Sequence, residues 1–203
     1  GATVNPNGVA PYSDSNVGLL NGALDDVRIY NGALTSAEIQ AIALEQGGPG
    51  FSPFAAGNVG FGSGAPIDVL LINGSSGGCP RRVDVAVGDP ITISMLQPPT
   101  NTAPSAFVLY GLIGAPGPGD GVILPLGIGT MCFMPYTLDP AFPGAFQAAS
   151  SYPDPASLIP GSLAPWSYTR AGLNFPFQVT FQGIITESAF SLRVTNGVLL
   201  NVQ

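Results

Sequence analysis

Polar and apolar residues alternate most regularly toward the C-terminal end of the chain. One run alternates at Phe175, Phe177, Val179 and Phe181, and a second covers 190–194 and 198–202. Successive side chains of a strand point to opposite faces, so this period of two predicts strands with one buried face. Asn196-Gly197 separates the halves of the second run and favours the positive φ angles of a type I′ turn, which predicts a closing hairpin.

Shorter apolar runs separated by glycine, proline and asparagine follow one another from residue 67 onward. The predicted strands cover residues 67–73, 82–87, 91–96, 106–113, 122–126, 130–134, 174–186 and 190–203. Many short strands without helical periodicity are typical of a sandwich. The sequence therefore predicts an all-β fold, with a β-sandwich over residues 67–203. The long segment 139–170 is predicted to be a surface excursion because of its length.

The N-terminal part has a different pattern. Residues 23–30 alternate, with Ala23, Val27 and Ile29 on one face, which predicts a half-buried strand. Thr35-Ser-Ala-Glu38 then forms a capping box, in which the Thr35 hydroxyl and the Glu38 carboxylate satisfy amides at a helix start. A short helix is predicted over 36–46, and Gly47-Gly48-Pro49 ends it.

Residues 24–40, Leu-Asp-Asp-Val-Arg-Ile-Tyr-Asn-Gly-Ala-Leu-Thr-Ser-Ala-Glu-Ile-Gln, resemble the C-terminal signature of laminin-G-like, concanavalin-type jelly-roll domains. The resemblance covers residues 16–46 and implies a partial jelly-roll strand followed by a helix. Members of that family often bind glycans or calcium, but the loops that do so have no counterpart here, so no functional residue is carried over. The remainder is loosely similar to uncharacterised C-terminal β modules of large secreted bacterial proteins, which implies an extracellular protein.

These patterns predict three parts: an N-terminal arm with the truncated strand and helix over 1–46, a linker over 47–66, and the sandwich over 67–203. The linker has one unusual feature, because it carries three large apolar rings, Phe51, Phe54 and Phe61. A free linker would expose these rings to water. We therefore expect the segment to lie against a surface, either its own or that of a neighbouring molecule.

Charge is scarce along the whole chain. Only 8% of the 203 residues are charged, and the net charge is −7. Nucleic-acid binding is not expected, because phosphates require clustered Lys or Arg and only Arg81 and Arg82 are adjacent. Asp120 is the sole acidic or basic residue over 91–138, but the prolines in that span argue against a membrane helix. The span is interpreted either as a buried β core or as a surface covered by another chain.

The two cysteines, Cys79 and Cys132, lack metal-site spacing and histidine partners. A disulfide between them is predicted, with two buried free thiols as the alternative. Closing a loop of about 50 residues would remove roughly 4 kcal/mol of unfolded-state entropy. Such a bond would place the protein in an oxidising compartment. The start of the sequence has no signal peptide, so the chain is expected to be mature or excised.

Catalysis and cofactors are not expected. The chain has no histidine and no lysine, which excludes Ser-His-Asp, Cys-His, Schiff-base and P-loop chemistry. Asp25 and Asp26 are adjacent on a predicted strand and point to opposite faces, so they do not form an acid–base pair. Trp166 and Tyr168 are candidates for stacking on sugar rings, with packing in a core or an interface as the alternative.

The combined expectation is an extracellular or cell-surface structural protein that self-assembles by strand complementation. A strand that usually ends a sandwich stands near the start of this sequence, and such an edge pairs readily with another chain. The expected assembly residues are Val27, Ile29, Phe51, Phe54 and Phe61, and the expected partners are copies of the chain. The alternative is the C-terminal part of a secreted adhesin or lectin-like module that binds glycans.

Overall fold

The computed structural model describes residues 32–33, 59–60, 67–77, 81–117, 120–189 and 191–203. The chain divides into two compact units, residues 1–35 and 36–203, and the fold below is that of the second unit. The predicted strand over 23–30 and the predicted helix over 36–46 lie outside the described residues. Within the described residues every regular element is a strand.

The described part contains a dozen strands. In chain order they are β1 (Leu70–Ile72), β2 (Arg82–Val85), β3 (Ile91–Met95), β4 (Phe107–Ile113), β5 (Val122–Leu124), β6 (Gly129–Met131), β7 (Ala145–Ser150), β8 (Ile159–Pro160), β9 (Trp166–Arg170), β10 (Phe177–Ser188), β11 (Ser191–Val194) and β12 (Val198–Val202).

Two sheets face each other, which confirms the predicted all-β sandwich. The smaller sheet has three strands in the order β1-β3-β9. The larger has seven, in the order β2-β12-β10-β4-β7-β8, with β11 also paired to β10. Most neighbours are antiparallel, but β2 runs parallel to β12 and β8 runs parallel to β7.

The main core lies between the two sheets. Phe107 and Leu109 of β4 and Val179 and Phe181 of β10 face it from the larger sheet. Trp166 of β9 enters from the smaller sheet, and its ring centroid lies 5.3 Å from that of Phe107. Tilted aromatic pairs at this distance add about 0.5–1.5 kcal/mol to the effect of burial alone, so this contact helps to fix β9 over β4.

The opposite face of the larger sheet is also covered. Tyr110 and Leu112 of β4 pack there against a second cluster that includes Met131, Cys132 and Phe133. These last three come from the β5–β6 hairpin and the segment that follows it. β4 is therefore covered on both faces, as is usual for central strands of this kind, and β12 is buried at every position.

Buried polar side chains join the layers. The side-chain carbonyl of Asn196 accepts hydrogen bonds from the N–H groups of Val69 and Leu70, both at 2.9 Å. Its amide donates to the Leu70 carbonyl at 2.8 Å. Asn196 therefore pairs with β1 much as a strand residue would, and it links the smaller sheet to the larger. Gln182 acts on the other face, where its side-chain carbonyl accepts from the Cys132 N–H at 2.7 Å.

The predicted hairpin around Asn196-Gly197 is wrong. β11 and β12 do not pair with each other, because both lie on the same side of β10, with Val194 opposite Ile184 and Val198 opposite Phe181. Neither Asn196 nor Gly197 has a positive φ. The physical reason is that the buried Asn196 side chain is hydrogen-bonded to the backbone at β1. Asn196 therefore cannot lie in a solvent-exposed turn. The chain reverses earlier, between β10 and β11.

The predicted surface excursion over 139–170 is also wrong. This segment contains β7, β8 and β9, and β7 is a neighbour of β4 in the larger sheet. Alternation in Trp166-Ser-Tyr-Thr-Arg170 was the available signal for β9, with Trp166 and Tyr168 inward and Ser167 and Thr169 exposed. The other strands predicted from residue 67 onward are present, with shifted ends.

We expect Asn196→Ala to lower the free energy of unfolding by about 2–4 kcal/mol, because two N–H groups of β1 and one carbonyl would be left buried without partners. Urea denaturation monitored by tryptophan fluorescence measures this change. Asn174→Ala is the matched control, since Asn174 is exposed and surface changes usually stay within about 0.5 kcal/mol. Equal effects of the two changes would contradict the linking role of Asn196.

Candidate functional site

An apolar groove opens between the sheets beside β9. Its cavity measures about 170 Å³. Strands β7, β10 and β12 of the larger sheet form its floor, and β3 and β9 form its other wall, with Leu158 and Ile159 at the side. Tyr168 and Arg170 are the polar side chains of the lining. The groove exists because three strands cover a wider sheet, which leaves part of the apolar face of β7 without a facing strand.

The free edge of β9 borders this groove. The hydrogen bonds of β3 show which backbone N–H and C=O groups of β9 are directed toward the free edge. The Thr92 carbonyl accepts from the N–H of Asn73 at 2.8 Å, so the backbone of Thr92 bonds toward β1. Thr92 lies opposite Thr169, and alternate residues of an antiparallel strand bond to opposite sides. The backbone groups of Ser167 and Thr169 therefore point away from β3, and no described residue pairs with them.

The outer edges of β1, β2 and β8 are protected in ways that β9 is not. Asn196 covers the edge of β1, and β8 is short and ends in Pro160. The β2 edge carries an Arg82–Asp84 ion pair at 2.7 Å, and hydrogen bonds from Asn201 and Arg82 hold the pKa of Asp84 below its usual value. Charge and proline on edge strands oppose pairing with another chain. Of the outer edges of β1, β2, β8 and β9, that of β9 is the one best suited to accept a strand.

The outer face of β9, formed by Ser167 and Thr169, carries no charge. The hydroxyls of Thr169 and Thr92 lie 2.8 Å apart, and those of Ser167 and Ser94 lie 3.1 Å apart. These pairs hold β9 in register against β3 without placing a charge on the edge. Lysines and inward-pointing charges on an edge commonly prevent strand addition; the one charge on β9 is that of Arg170 at the groove mouth, which an added strand would have to pair.

Arg170 stands at the mouth of the groove and has no ion-pair partner among the described residues. The other described arginines are paired: Arg81 with Asp68 at 2.7 Å, Arg82 with Asp84, and Arg193 with Glu187 at 3.0 Å. Arg170 is exposed, so water solvates its guanidinium. An incoming carboxylate would find an unpaired planar donor group at this position.

The two aromatic residues considered for sugar stacking have different positions. Trp166 is only 8% exposed and belongs to the main core. Tyr168 is partly buried, and its ring is nearly parallel to that of Trp166, with the centroids 6.4 Å apart. The core side of β9 therefore holds both rings, as the packing interpretation expects. Glycan stacking on them stays a prediction, and their burial does not favour it.

The remaining predicted site residues lie largely outside the described part of the chain. Val27, Ile29, Phe51, Phe54, Phe61 and Cys79 are all in this group. Within the predicted linker, Val59 is buried in the main core, and the Gly60 N–H donates to the Glu187 carboxylate at 2.5 Å. At least this point of the linker lies against the sandwich.

Cys132 is fully buried and belongs to the second core cluster. Burial raises its pKa far above the usual range for a thiol. Because Cys79 lies outside the described residues, the disulfide between them stays a prediction.

The described residues also bear on metal binding and on membrane crossing. No cluster of three or more potential metal ligands occurs among them. No helix in that part of the chain has the length and apolar character needed to cross a bilayer. Glu187, the most buried carboxylate described, is held by Arg193 and by the Gly60 N–H, so it serves as a structural anchor.

We expect iodoacetamide to leave Cys132 unmodified in the native protein at pH 8, because its thiol is buried and remains protonated. In denaturant without reductant, modification of Cys132 would contradict the predicted disulfide, whereas modification only after reduction would support it. Peptide mass spectrometry distinguishes the two cysteines. Rapid native modification of Cys132 would contradict its burial.

No protein-family model and no curated protein sequence matches this chain. The resemblance of residues 16–46 to laminin-G-like domains therefore stays a prediction. What the described residues supply for a functional proposal is their geometry: a free strand edge, an apolar groove beside it, and an unpaired arginine at the mouth of that groove.

Proposed function

We propose that this protein is an extracellular or cell-surface structural subunit that assembles with copies of itself by strand complementation. The observation that carries the proposal is the free edge of β9 beside the apolar groove. A strand added there would bond with the outward backbone groups of Ser167 and Thr169 and would place alternate side chains in the groove. In strand addition generally, the main-chain hydrogen bonds supply affinity and the side-chain pockets supply specificity.

The energies favour a reversible contact at this edge. Fully burying one Val or Ile side chain contributes about 1.5–3 kcal/mol, and each backbone hydrogen bond adds about 1 kcal/mol. Association itself costs about 4–15 kcal/mol. Burying two apolar side chains and forming a few backbone hydrogen bonds therefore roughly offsets the cost of association. Stable assembly would need further contacts, for which the rings of Phe51, Phe54 and Phe61 remain the sequence-based candidates.

The contact would be heterologous, because the donated strand and the accepting groove are different surfaces. Head-to-tail contacts of this kind form filaments when the rotation between neighbours does not close a ring. Scarce charge on the chain supports the same proposal, since charge repulsion would oppose close packing of many copies.

We expect Thr169→Pro to abolish assembly while leaving the sandwich folded. Proline removes an N–H that faces away from β3, and its ring occupies the free edge. Thr169→Val is the matched control, because it also loses the hydroxyl but keeps the N–H. Sedimentation velocity and negative-stain electron microscopy measure assembly, and thermal melting checks the fold. Normal filaments from the proline variant, or a wild-type chain that stays monomeric at high concentration, would contradict the proposal.

A second candidate function is glycan binding by an adhesin or lectin-like module. A surface depression of about 500 Å³ is lined by residues of the segment 150–161. Tyr152 in this lining is 64% exposed, so its ring offers a face to a sugar. Asp154 beside it is engaged by Gln147 at 2.8 Å, and bonds from the Ala156 N–H and Gln147 keep its pKa low.

Glycan-array binding separates the two candidates. The lectin-like function predicts binding that is lost in Tyr152→Ala and kept in Thr169→Pro, because the depression and the β9 edge are different surfaces. The assembly function predicts filaments that persist in Tyr152→Ala. An array without signal, with filaments present, would eliminate the second candidate.

A further inference from the structure

Resting on the proposed assembly, we propose that the strand accepted by β9 is residues 23–30 of a second copy of this chain. It lies antiparallel to β9, with Val27 beside Tyr168 and Asp25 beside Arg170. This assigns to the groove a specific occupant and a specific register.

The groove sets the chemical requirements for its occupant. Trp166 and Tyr168 of β9 face inward, and Arg170 follows at the same interval of two but is exposed at the mouth of the groove. A strand paired with β9 needs apolar side chains opposite the two aromatic residues and a carboxylate opposite the unpaired guanidinium of Arg170. Between these positions it needs residues that tolerate water, because Ser167 and Thr169 face outward.

The segment 23–30 meets these requirements at the same interval. Asp25, Val27 and Ile29 lie on one face of the predicted strand. In an antiparallel register, Asp25 falls opposite Arg170 and Val27 opposite Tyr168, and Ile29 then falls opposite Trp166. Asp26 and Arg28 lie opposite Thr169 and Ser167, where both charges stay in solvent.

A parallel arrangement fits less well. With Asp25 again opposite Arg170, Ala23 would lie opposite Tyr168, and Val27 and Ile29 would extend past the end of β9. The groove would then receive one methyl group in place of two branched side chains. Antiparallel pairing therefore buries more apolar surface for the same ion pair.

The predicted linker over 47–66 is a poorer occupant of the same groove. It contains no carboxylate to pair with Arg170, and Phe51 and Phe54 are three residues apart around Pro53, so they do not share one face of a strand. Val59 in the same segment is already buried in the core of its own chain. Its phenylalanines suit a contact elsewhere on the neighbouring molecule.

Disulfide trapping between separately prepared variants tests the register. In the proposed register, positions 26 and 169 lie directly opposite each other and form a hydrogen-bonded pair, in which the Cα atoms are about 5.5 Å apart. Cysteines introduced there by Asp26→Cys and Thr169→Cys are therefore well placed to form a disulfide. We expect the mixture to form a 26–169 cross-linked dimer at least about tenfold faster than a mixture of Asp26→Cys with Ser167→Cys. The control pair is offset by two residues, so its Cα atoms lie beyond the roughly 7 Å limit for a disulfide. Peptide mapping identifies the bond against the native cysteines.

Charge exchange tests the ion pair independently. Asp25→Arg or Arg170→Asp alone is expected to raise the critical concentration for assembly about fivefold or more, as the loss of an ion pair and the gain of a like charge require. A chain carrying both changes restores the pair between copies, so its critical concentration should return close to the wild-type value. Failure of the double variant to recover would overturn the ion pair.

The outcomes separate this inference from the proposed function. Assembly that is lost in Thr169→Pro but shows neither the 26–169 cross-link nor the charge effect would overturn the occupant and leave strand complementation standing. A wild-type chain that never assembles would overturn both. A further test uses a chain that carries both Asp26→Cys and Thr169→Cys. If this chain forms the 26–169 disulfide within one molecule at high dilution, the claim that the strand comes from a second copy is overturned.

Discussion

The side chain of Asn196 is the constraint on which the sandwich depends. By pairing with the backbone of Leu70 and Val69, it attaches the smaller sheet to the larger at the β1 edge. A buried amide that satisfies three backbone groups strongly disfavours any shift of β1. Because the smaller sheet is attached at this side and contains only three strands, its far edge at β9 ends before the larger sheet does. The groove is a direct consequence of that attachment.

The larger sheet explains most of the scarcity of charge. Its central strands are buried on both faces, by the smaller sheet on one and by the β5–β6 hairpin with the segment after it on the other. Strands covered on two sides need apolar residues at nearly every position. Much of the apolar span 91–138 is accounted for in this way, through Phe107, Tyr110 and Phe133. The same span also carries apolar side chains that stay exposed, Ile113, Ile123 and Leu126 among them.

The protection of the sheet edges is unequal, and this inequality supports an assembly function. An ion pair lies on β2, a proline ends β8, and a side-chain amide covers β1, whereas β9 presents free backbone groups above an apolar groove. Edge strands without such protection are open to strand addition. In the proposed assembly Arg170 adds a means of selection, because a guanidinium without an ion-pair partner among the described residues would discriminate between occupants by charge as well as by shape. The same features would act as an aggregation hazard in a protein that functions as a monomer.

The sequence by itself determined most of the strands: β10 and the apolar residues of β12 follow from a period of two, and β3 and β4 follow from short apolar runs between turn residues, and with them the all-β sandwich. It also predicted packing as one of two roles for Trp166. Only the tertiary structure decided the role of Asn196, whose local signal favours a hairpin turn but whose amide is captured by β1, distant in sequence. The same holds for β7 to β9, since strand pairing in that segment depends on partners far along the chain. Local propensity reports what a residue prefers in isolation. The free edge of β9, the groove beside it and the position of Arg170 depend instead on which strands have no neighbour once the sheets have formed.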